Sequence, residues 1–441
     1  MRRPLMSKIG EQRGAILIQV TVAMIGLLAF LTLVVDYGIM WASRRQAQNS
    51  ADAGALAGAI SLAFDDPTDF TDSGPAKQSA HAAALANKVF GASPANNVST
   101  DVTFFGPGHP NPCPDGDTGA TCVRVDVYRT TARGNALPTF FARLMGIVSQ
   151  DISATATAKI TSGTSVTCMR PFAIIDKWDE YDSGHAEHDY DLNADHHDPD
   201  FNPFTSTFDK YPISGSHNPV EPDYYVPSVN CAPTDTGCVP VAGTGYRPFA
   251  DDGVTPVDYG TLVEIHTGSQ DQTSAGYFQP VRLHPGDSGA RDYCDNIKTC
   301  DATVSNSIGQ VISTENGDMV GPTDQCLFSD SDSLANRDPD AHWVVDTDHP
   351  NGAVVSPLFG DNQSPRIIPL PVISPEEYFS SDPNGHSSLT IHNILGFFIE
   401  DQIGHGGHTV TRGRLINVPS DDVGGSTIST SSFLRKIILI R

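Results

Sequence analysis

The sequence predicts an α+β protein in which an N-terminal transmembrane helix with a long extracytoplasmic extension is followed by a small α/β unit and a large, mostly-β, loop-rich domain. Three observations predict this order. Residues 14–35 form an uncharged apolar run, residues 37–64 repeat small side chains at helical spacing, and glycine and proline separate the strand-like stretches after residue 161. The expected boundaries are 1–13 for a cytoplasmic basic segment, 14–35 for the transmembrane helix, 36–160 for the extension and α/β unit, and 161–441 for the β-rich extracytoplasmic domain.

The apolar run from Gly14 to Val35 contains 22 residues. As a helix it would extend roughly 33 Å, about the thickness of a hydrocarbon core. No small-residue cleavage site follows it, so we expect an uncleaved anchor. Basic residues are more numerous before the run than after it, which places the N-terminus in the cytoplasm. They are Arg2, Arg3, Lys8 and Arg13 before the run, and Arg44 and Arg45 after it.

The helical pattern continues beyond the apolar run, because no proline occurs between Pro4 and Pro67. One continuous helix of about 50 residues is therefore expected. Its second half carries a stripe of small side chains that should pack closely against a second helix at 75–90, or against a partner helix. The stripe comprises Ala47, Ala51, Ala55, Gly58 and Leu62.

The α/β unit is expected to contain strands at 98–105 and 122–128, a short amphipathic helix at 136–146 and a strand at 150–160. A long helix followed by strands, a short helix and a strand is a pilin-like plan. In the β-rich domain the strand candidates are 172–175, 261–266, 276–283, 343–345, 366–371, 389–400, 409–418 and 433–440.

Eight cysteines fit an oxidising, extracytoplasmic compartment, where disulfides are favoured over metal thiolates. Proximity along the chain predicts three close pairs and leaves one distant pair, although other connectivities are possible. The close pairs are Cys113/Cys122, Cys231/Cys238 and Cys294/Cys300, and the distant pair is Cys168/Cys326.

The order of several motifs in residues 10–64 resembles the N-terminal domain of TadG-like Flp pilus assembly proteins. These motifs are Arg13-Gly14-Ala15, the apolar run, Asp36-Tyr37-Gly38, Arg44-Arg45 and the small-residue run 49–59. Four later blocks are similar to recurring blocks of longer TadG-like proteins, namely 171–178, 243–247, 321–323 and 396–400. The Asp-x-Ser-x-Ser metal motif that many relatives carry in a von Willebrand A domain is absent from the sequence.

The resemblance implies a role in a tight-adherence pilus system. It further implies a single-pass protein of the bacterial inner membrane whose bulk is periplasmic or surface-exposed. The expected partners are other pilus assembly or pilin-like envelope proteins and the lipid of the inner membrane.

The densest candidate site lies in residues 176–209, which contain eleven carboxylates and one lysine. Oxygen ligands recur there at alternate residues, a spacing that can fold every second side chain onto Ca²⁺. The candidate metal ligands are Asp189, Asp191, Asn193, Asp195 and Asp200. A solvated acidic loop is an equally weighted interpretation, and nearby histidines keep Zn²⁺ as the minor option. These histidines are His185, His188, His196 and His197.

The formal net charge of −25 argues against a nucleic-acid partner, because phosphate neutralisation needs an excess of lysine and arginine. The Gly-Asp-Ser-Gly segment at 286–289 lacks the sequence context of a serine protease and is interpreted as a turn. The leading hypothesis is therefore a non-enzymatic, membrane-anchored envelope component of a Tad/Flp-type pilus assembly system. The alternative is a calcium-dependent surface-binding or adhesin module, and an envelope hydrolase is a weaker third hypothesis.

Overall fold

The computed structural model describes residues 12–117, 119–178, 225, 245–250, 255–266, 278–317, 319–346, 349–380, 387–403, 410–422 and 432–440. It confirms the α+β class, with a long N-terminal helix and several sheets. The α-helices are α1 Gln12–Leu31, α2 Tyr37–Phe64, α3 Pro75–Ala86, α4 Val98–Asp101, α5 Gly289–Lys298, α6 Val320–Asp324 and α7 Pro375–Ser380.

The strands carry labels in chain order. They are β1 Val102–Phe105, β2 Thr121–Arg129, β3 Leu137–Pro138, β4 Ser149–Gln150, β5 Ile152–Ser162, β6 Ser165–Thr167, β7 Phe172–Ile175, β8 Leu262–His266, β9 Phe278–Arg282, β10 Ser305–Ser307, β11 Val311–Thr314, β12 His342–Val344, β13 Ala353–Val355, β14 Ile367–Ile373, β15 Ser388–Thr390, β16 Asn393–Ile403, β17 Val410–Ile416, β18 Val418–Pro419 and β19 Leu434–Ile440. Each of the eight strand candidates of the β-rich domain overlaps an observed strand.

The N-terminal unit is a long helix packed on a five-stranded sheet. One π-helical turn, Thr32–Asp36, joins α1 to α2. The helix is not interrupted there, because Leu31, Asp36 and Tyr37 keep right-handed helical backbone angles. The predicted continuous helix is therefore confirmed. The sheet has the order β1-β2-β5-β19-β18, and α2 lies between this sheet and α3.

The fourth strand of this sheet comes from the end of the chain. β19 pairs antiparallel with β5, from Arg435 opposite Ser162 to Ile440 opposite Thr157. The C-terminal strand thus lies in the same sheet as residues of the N-terminal unit. The division expected at residue 160 stays a prediction.

The C-terminal unit, which is the described part of residues 163–416, is built on an eight-stranded sheet of order β15-β11-β9-β7-β14-β16-β17-β8. The pairing is antiparallel except between β7 and β14. One face buries aromatic side chains, with the Phe172 ring centroid 5.1 Å from Phe278 and 6.0 Å from Tyr293. Asn351 of this unit donates to Asp66, just after α2, at 2.9 Å, and Asn417, which directly follows the unit, donates to the Ala63 carbonyl of α2 at 2.9 Å.

Two predicted elements of the α/β unit are wrong in part. The first half of the expected strand 98–105 is the helical turn α4, because the Asn97 side chain accepts from Ser99 N–H and Asp101 accepts from Asn97 N–H. The expected helix 136–146 is reduced to the 3₁₀ turn Ala142–Met145 between β3 and β4. Pro138 pairs in β3, and Gly146 ends the turn at φ +86°.

Disulfide pairing is confirmed for one close pair and wrong for two pairs. Cys113 bonds Cys122, but Cys168 bonds Cys300 and Cys294 bonds Cys326. Cys294 lies inside α5 and packs against the aromatic core, whereas Cys300 lies beyond the end of that helix. Closeness in sequence therefore does not bring the two Cβ atoms together. Cys231 and Cys238 lie outside the described residues.

Candidate functional site

The two halves of the long helix have opposite surroundings. Side chains of residues 16–30 are exposed around the helix apart from the half-buried Leu28, with Leu17 71% and Val22 65% exposed. In the part of the chain that the structure describes, one helix, Ile16–Phe64, contains a stretch long and apolar enough to cross a membrane. From Ala47 onward one face of the same helix is buried in the N-terminal unit.

The change between the two halves occurs at Asp36, which is buried although it directly follows the apolar run. Its carboxylate accepts hydrogen bonds from Phe140 N–H at 2.9 Å and Ala142 N–H at 2.5 Å. These two amides belong to residues 139–148, here called the hairpin tip, which connects β3 to β4. Asp36 therefore fixes the hairpin tip to the helix at the point where the apolar run ends.

The small-residue stripe of α2 packs against α3 and the sheet, which confirms the predicted contact with the second helix. The approach is close enough to require glycine. A Cβ placed on Gly58 would lie 2.9 Å from Ala80 Cβ and 2.9 Å from Val123 Cγ1. Ser50 also donates its hydroxyl to the Ala84 carbonyl at 2.7 Å. Because such contacts leave no spare volume, the helix pair and sheet form one rigid support for the exposed apolar half.

Two family models match this region of the chain. Residues 14–61 match the Flp pilus-assembly TadE/G-like model, and residues 57–158 match the Tad-like Flp pilus-assembly model. The two matches together span residues 14–158, which are here called the TadE/G-like module after the first model. The resemblance seen in the N-terminal motifs is thereby confirmed, and the TadE/G-like module runs from the apolar helix to β5. No curated protein and no solved structure matches the chain.

A buried carboxylate forms a second centre, outside the TadE/G-like module. Asp176 follows β7 and is 1% exposed, and it accepts hydrogen bonds from Tyr225 Oη at 3.0 Å and Tyr246 N–H at 2.9 Å. Gly245 is required beside it, since a Cβ there would lie 2.6 Å from Asp176 Oδ2. Burial raises the pKa of Asp176 to about 6, although the donated hydrogen bonds lower it in part.

A neighbouring ion pair extends this centre. Lys177 Nζ contacts both carboxylate oxygens of Asp258, at 2.9 and 3.1 Å, and Arg247 N–H donates to the same carboxylate at 2.8 Å. Two of the blocks that are similar to longer TadG-like proteins, 171–178 and 243–247, therefore meet at Asp176 and Asp258. The polar groups are engaged by one another, so this arrangement fixes the relative positions of chain segments.

The predicted calcium ligands Asp189, Asp191, Asn193, Asp195 and Asp200 lie outside the described residues, as do His185, His188, His196 and His197. The Ca²⁺ site stays a prediction, which thermal unfolding of the protein in Ca²⁺, Zn²⁺ or EDTA would decide. Among the described residues, the one group of three with metal-ligating atoms close together is Cys294, Cys326 and Asp330. Its two sulfur atoms are bonded to each other, so they are not available as thiolate ligands.

The Gly-Asp-Ser-Gly segment forms the turn before α5. Asp287 accepts from Asn296 Nδ2 at 2.7 Å, and Ser288 N–H donates to Asp292 at 3.0 Å. Both contacts organise the start of the helix, as the turn interpretation predicts.

Sequence reasoning did not assign roles to Asp36 or to Asp176 individually. A carboxylate directly after an uncharged apolar run was the available signal for Asp36, because a charge at that position needs a partner. For Asp176 the signal was weaker, since it is one of eleven carboxylates in its segment.

Proposed function

We propose that the protein is a membrane-anchored, non-enzymatic component of a Tad/Flp-type pilus assembly system. Residues 1–13 are cytoplasmic in this proposal, the apolar run crosses the inner membrane, and the remainder lies on the periplasmic or outer side. The observation that carries the proposal is the two-part helix: its first half is apolar and exposed, and its second half forms the core of a TadE/G-like module.

Energetics support the membrane assignment. Exposed leucine, isoleucine, valine and phenylalanine side chains on an isolated helix are unfavourable in water, at roughly 25 cal/mol per Å² of apolar surface. A bilayer removes that surface from water, and the helix satisfies its own backbone groups as lipid requires. The basic residues before and after the run orient it with the N-terminus in the cytoplasm.

The non-enzymatic assignment is supported by what the buried polar groups do. Asp36 holds a hairpin, Asp176 holds two tyrosines, and Asp258 holds a lysine and a backbone amide. Each group fixes the relative position of chain segments, which suits a protein whose partners are other pilus assembly components. A long helix joined to a rigid α/β unit can place such partners at a fixed height above the membrane.

Topology is tested with reporters fused to the full chain. A phosphatase that is active only outside the cytoplasm should be active when fused after Arg441 and inactive when fused before Met1. The reverse pattern would contradict the orientation, and inactivity at both positions together with protein in the soluble fraction would contradict the anchor.

Participation in pilus assembly is tested in the native cell. Deletion of the gene should reduce surface Flp pili, and the full chain should restore them, whereas a chain lacking residues 1–35 should not. In-cell photo-crosslinking from the exposed face of α2 should capture another envelope component of the same system. Normal pilus numbers in the deletion strain would overturn the proposal.

A further inference from the structure

We propose that the hairpin tip, residues 139–148, is a second membrane contact, which inserts its apolar side chains into the interface of the bilayer that the N-terminal helix crosses. This inference rests on the proposed membrane anchor. It assigns a lipid-binding surface to a part of the TadE/G-like module that lies more than 100 residues from the apolar run in sequence.

The hairpin tip presents large apolar side chains to solvent, unlike the part of the module from Ala47 onward, whose apolar residues are mostly buried in the core. Leu144 is 69% exposed and Met145 65%. The other exposed apolar side chains of the tip are Phe140, Ile147 and Val148, at 53%, 51% and 58%. Five such side chains lie within nine consecutive residues of one short connection, and exposed apolar surface concentrated in this way marks protein or membrane contacts.

Asp36 fixes the position of these side chains along the helix axis, and therefore their depth relative to the bilayer. Because Asp36 binds the amides of Phe140 and Ala142 directly, the tip lies level with the first residue after the apolar run. Leu137 and Ala142 are buried and attach the hairpin to the module. A tip held at this height would be at the membrane surface whenever the apolar run fills the hydrocarbon core.

The helix beside the tip carries the residue types that are typical of helices at a bilayer interface. Tyr37 and Trp41 are 56% and 49% exposed and follow the apolar run within roughly 9 Å along the helix axis, and tyrosine and tryptophan are enriched at membrane–water interfaces. Arg44 and Arg45 come next, and the Arg45 guanidinium lies 3.6 Å from the Trp41 ring centroid. The order of apolar, aromatic and basic residues matches the order of acyl chains, interface and phosphates.

Charge favours lipid as the occupant of the patch. The chain has a net charge of −25, yet residues 139–148 contain one arginine, Arg143, and no carboxylate. Arg143 is exposed and can extend its guanidinium to phosphates while the neighbouring apolar side chains enter the interface. The hairpin tip also lies at the level along the helix axis where the apolar run ends, so one bilayer would cover both the tip and the run.

The backbone of the tip is suited to a partly dehydrated environment. β3 and β4 pair at its base, Ile147 N–H donates to the Ala142 carbonyl at 3.1 Å, and Gly146 N–H donates to the Arg143 carbonyl at 3.1 Å. Asp36 accepts the two amides at the start of the turn. These bonds reduce the cost of placing a non-helical segment at the edge of the hydrocarbon region.

The test uses the full chain in vesicles of phosphatidylcholine and phosphatidylglycerol, with a photo-crosslinking amino acid placed at one position at a time. The probe at Leu144 should attach to lipid several-fold more often than the same probe at Leu358. Leu358 is a matched control, since it is a leucine of similar exposure, 65%, in the C-terminal unit.

A third position separates the two proposals. Ile25 lies in the apolar run and is 62% exposed, so a probe there should attach to lipid if the anchor spans the bilayer. Lipid attachment at Ile25 but not above the Leu358 level at Leu144 would overturn the hairpin-tip contact and leave the anchor intact. Absence of attachment at Ile25 would overturn both. In cells, attachment of the Leu144 probe to a protein in place of lipid would show that a partner covers the tip and would also overturn the inference.

Discussion

The two units of the chain are packed with different side chains. The N-terminal unit brings α2, α3 and the sheet together through alanine, glycine and valine, whereas the C-terminal unit fills its main core with phenylalanine, tyrosine, leucine and isoleucine. In the first unit the quality of packing depends on how closely the backbones of neighbouring elements can approach. In the second unit it depends on how completely large rings fill the interior. Added atoms should therefore damage the first unit, and deleted atoms the second.

The units also differ in the disulfides and buried polar contacts that stabilise them. The N-terminal unit has one local disulfide, Cys113–Cys122, which joins the loop before β2 to the start of that strand. Among its described residues the C-terminal unit has two disulfides that join more distant segments, together with the buried Asp176. Cross-links between distant segments favour folding, because they reduce the conformational entropy of the unfolded chain.

The largest expected effect is cavity formation in the C-terminal core. Phe397 is fully buried, and its ring lies over Gly413 of the adjacent strand, where a Cβ would be 2.4 Å from Phe397 Cζ. Phe397→Ala should lower the free energy of unfolding by about 3–5 kcal/mol. Urea titration of the full chain in detergent measures this loss. Leu358→Ala, at an exposed leucine, should change stability by less than about 0.5 kcal/mol, and equal losses in both variants would contradict the assignment of the core.

The long-range disulfide should contribute next. Replacing both Cys168 and Cys300 by alanine should cost about 2–4 kcal/mol, because the bond closes a loop with a sequence separation of 132. Removing Cys113 and Cys122 should cost less, since their separation is 9. Peptide mapping of the unreduced protein by mass spectrometry checks the pairing itself. A peptide linking Cys294 to Cys300 would show that the sequence-based pairing was correct after all.

Asp176 should give the C-terminal unit a characteristic pH dependence. Its pKa is raised to about 6 in the folded protein and is near 3.9 in an unfolded chain, so the fold favours the neutral acid. The resulting stabilisation is fully present below about pH 4 and is lost as the pH rises through about 6, by about 3 kcal/mol in total.

Asp176→Asn isolates this contribution, because asparagine resembles the neutral acid and does not titrate. The difference in unfolding free energy between wild type and variant, measured from pH 4 to pH 7, should therefore change by most of that amount. A difference that stays constant over this range would show that Asp176 has an ordinary pKa.

Sequence patterns predicted the features that depend on neighbouring residues. The uncharged run and the helix to Phe64 follow from local periodicity, and so do strands such as Phe172–Ile175. The disulfide partners of Cys168 and the position of β19 beside β5 depend on contacts between distant segments, which periodicity does not encode. The predicted amphipathic helix 136–146, which includes most of the hairpin tip, rests on a spacing of apolar residues that fits a helix. Asp36 instead takes the amides of Phe140 and Ala142, and the apolar side chains face outward.

The smallest expected effect tests the close approach in the N-terminal unit. Gly58→Leu should lower the free energy of unfolding by about 1–3 kcal/mol, because even its Cβ would lie 2.9 Å from Ala80 Cβ and from Val123 Cγ1. Ala55→Leu, at a fully buried position of the same stripe, should have a loss in the same range. Thermal and urea unfolding of the full chain in detergent measure both.

Gly58→Ala and Gly38→Ala form the matched pair that separates packing from helix propensity. Both glycines lie in α2, but a Cβ on Gly38 meets no atom within 4 Å. Alanine is the better helix former by about 1 kcal/mol, so Gly38→Ala should leave stability unchanged or raise it. At Gly58 the same gain is opposed by contacts at 2.9 Å with Ala80 and Val123, one of which must move, and the variant should be less stable than Gly38→Ala. Equal stability of the two alanine variants would mean that the small-residue stripe reflects helix propensity alone. Close backbone approach would then no longer distinguish the N-terminal core from the C-terminal core.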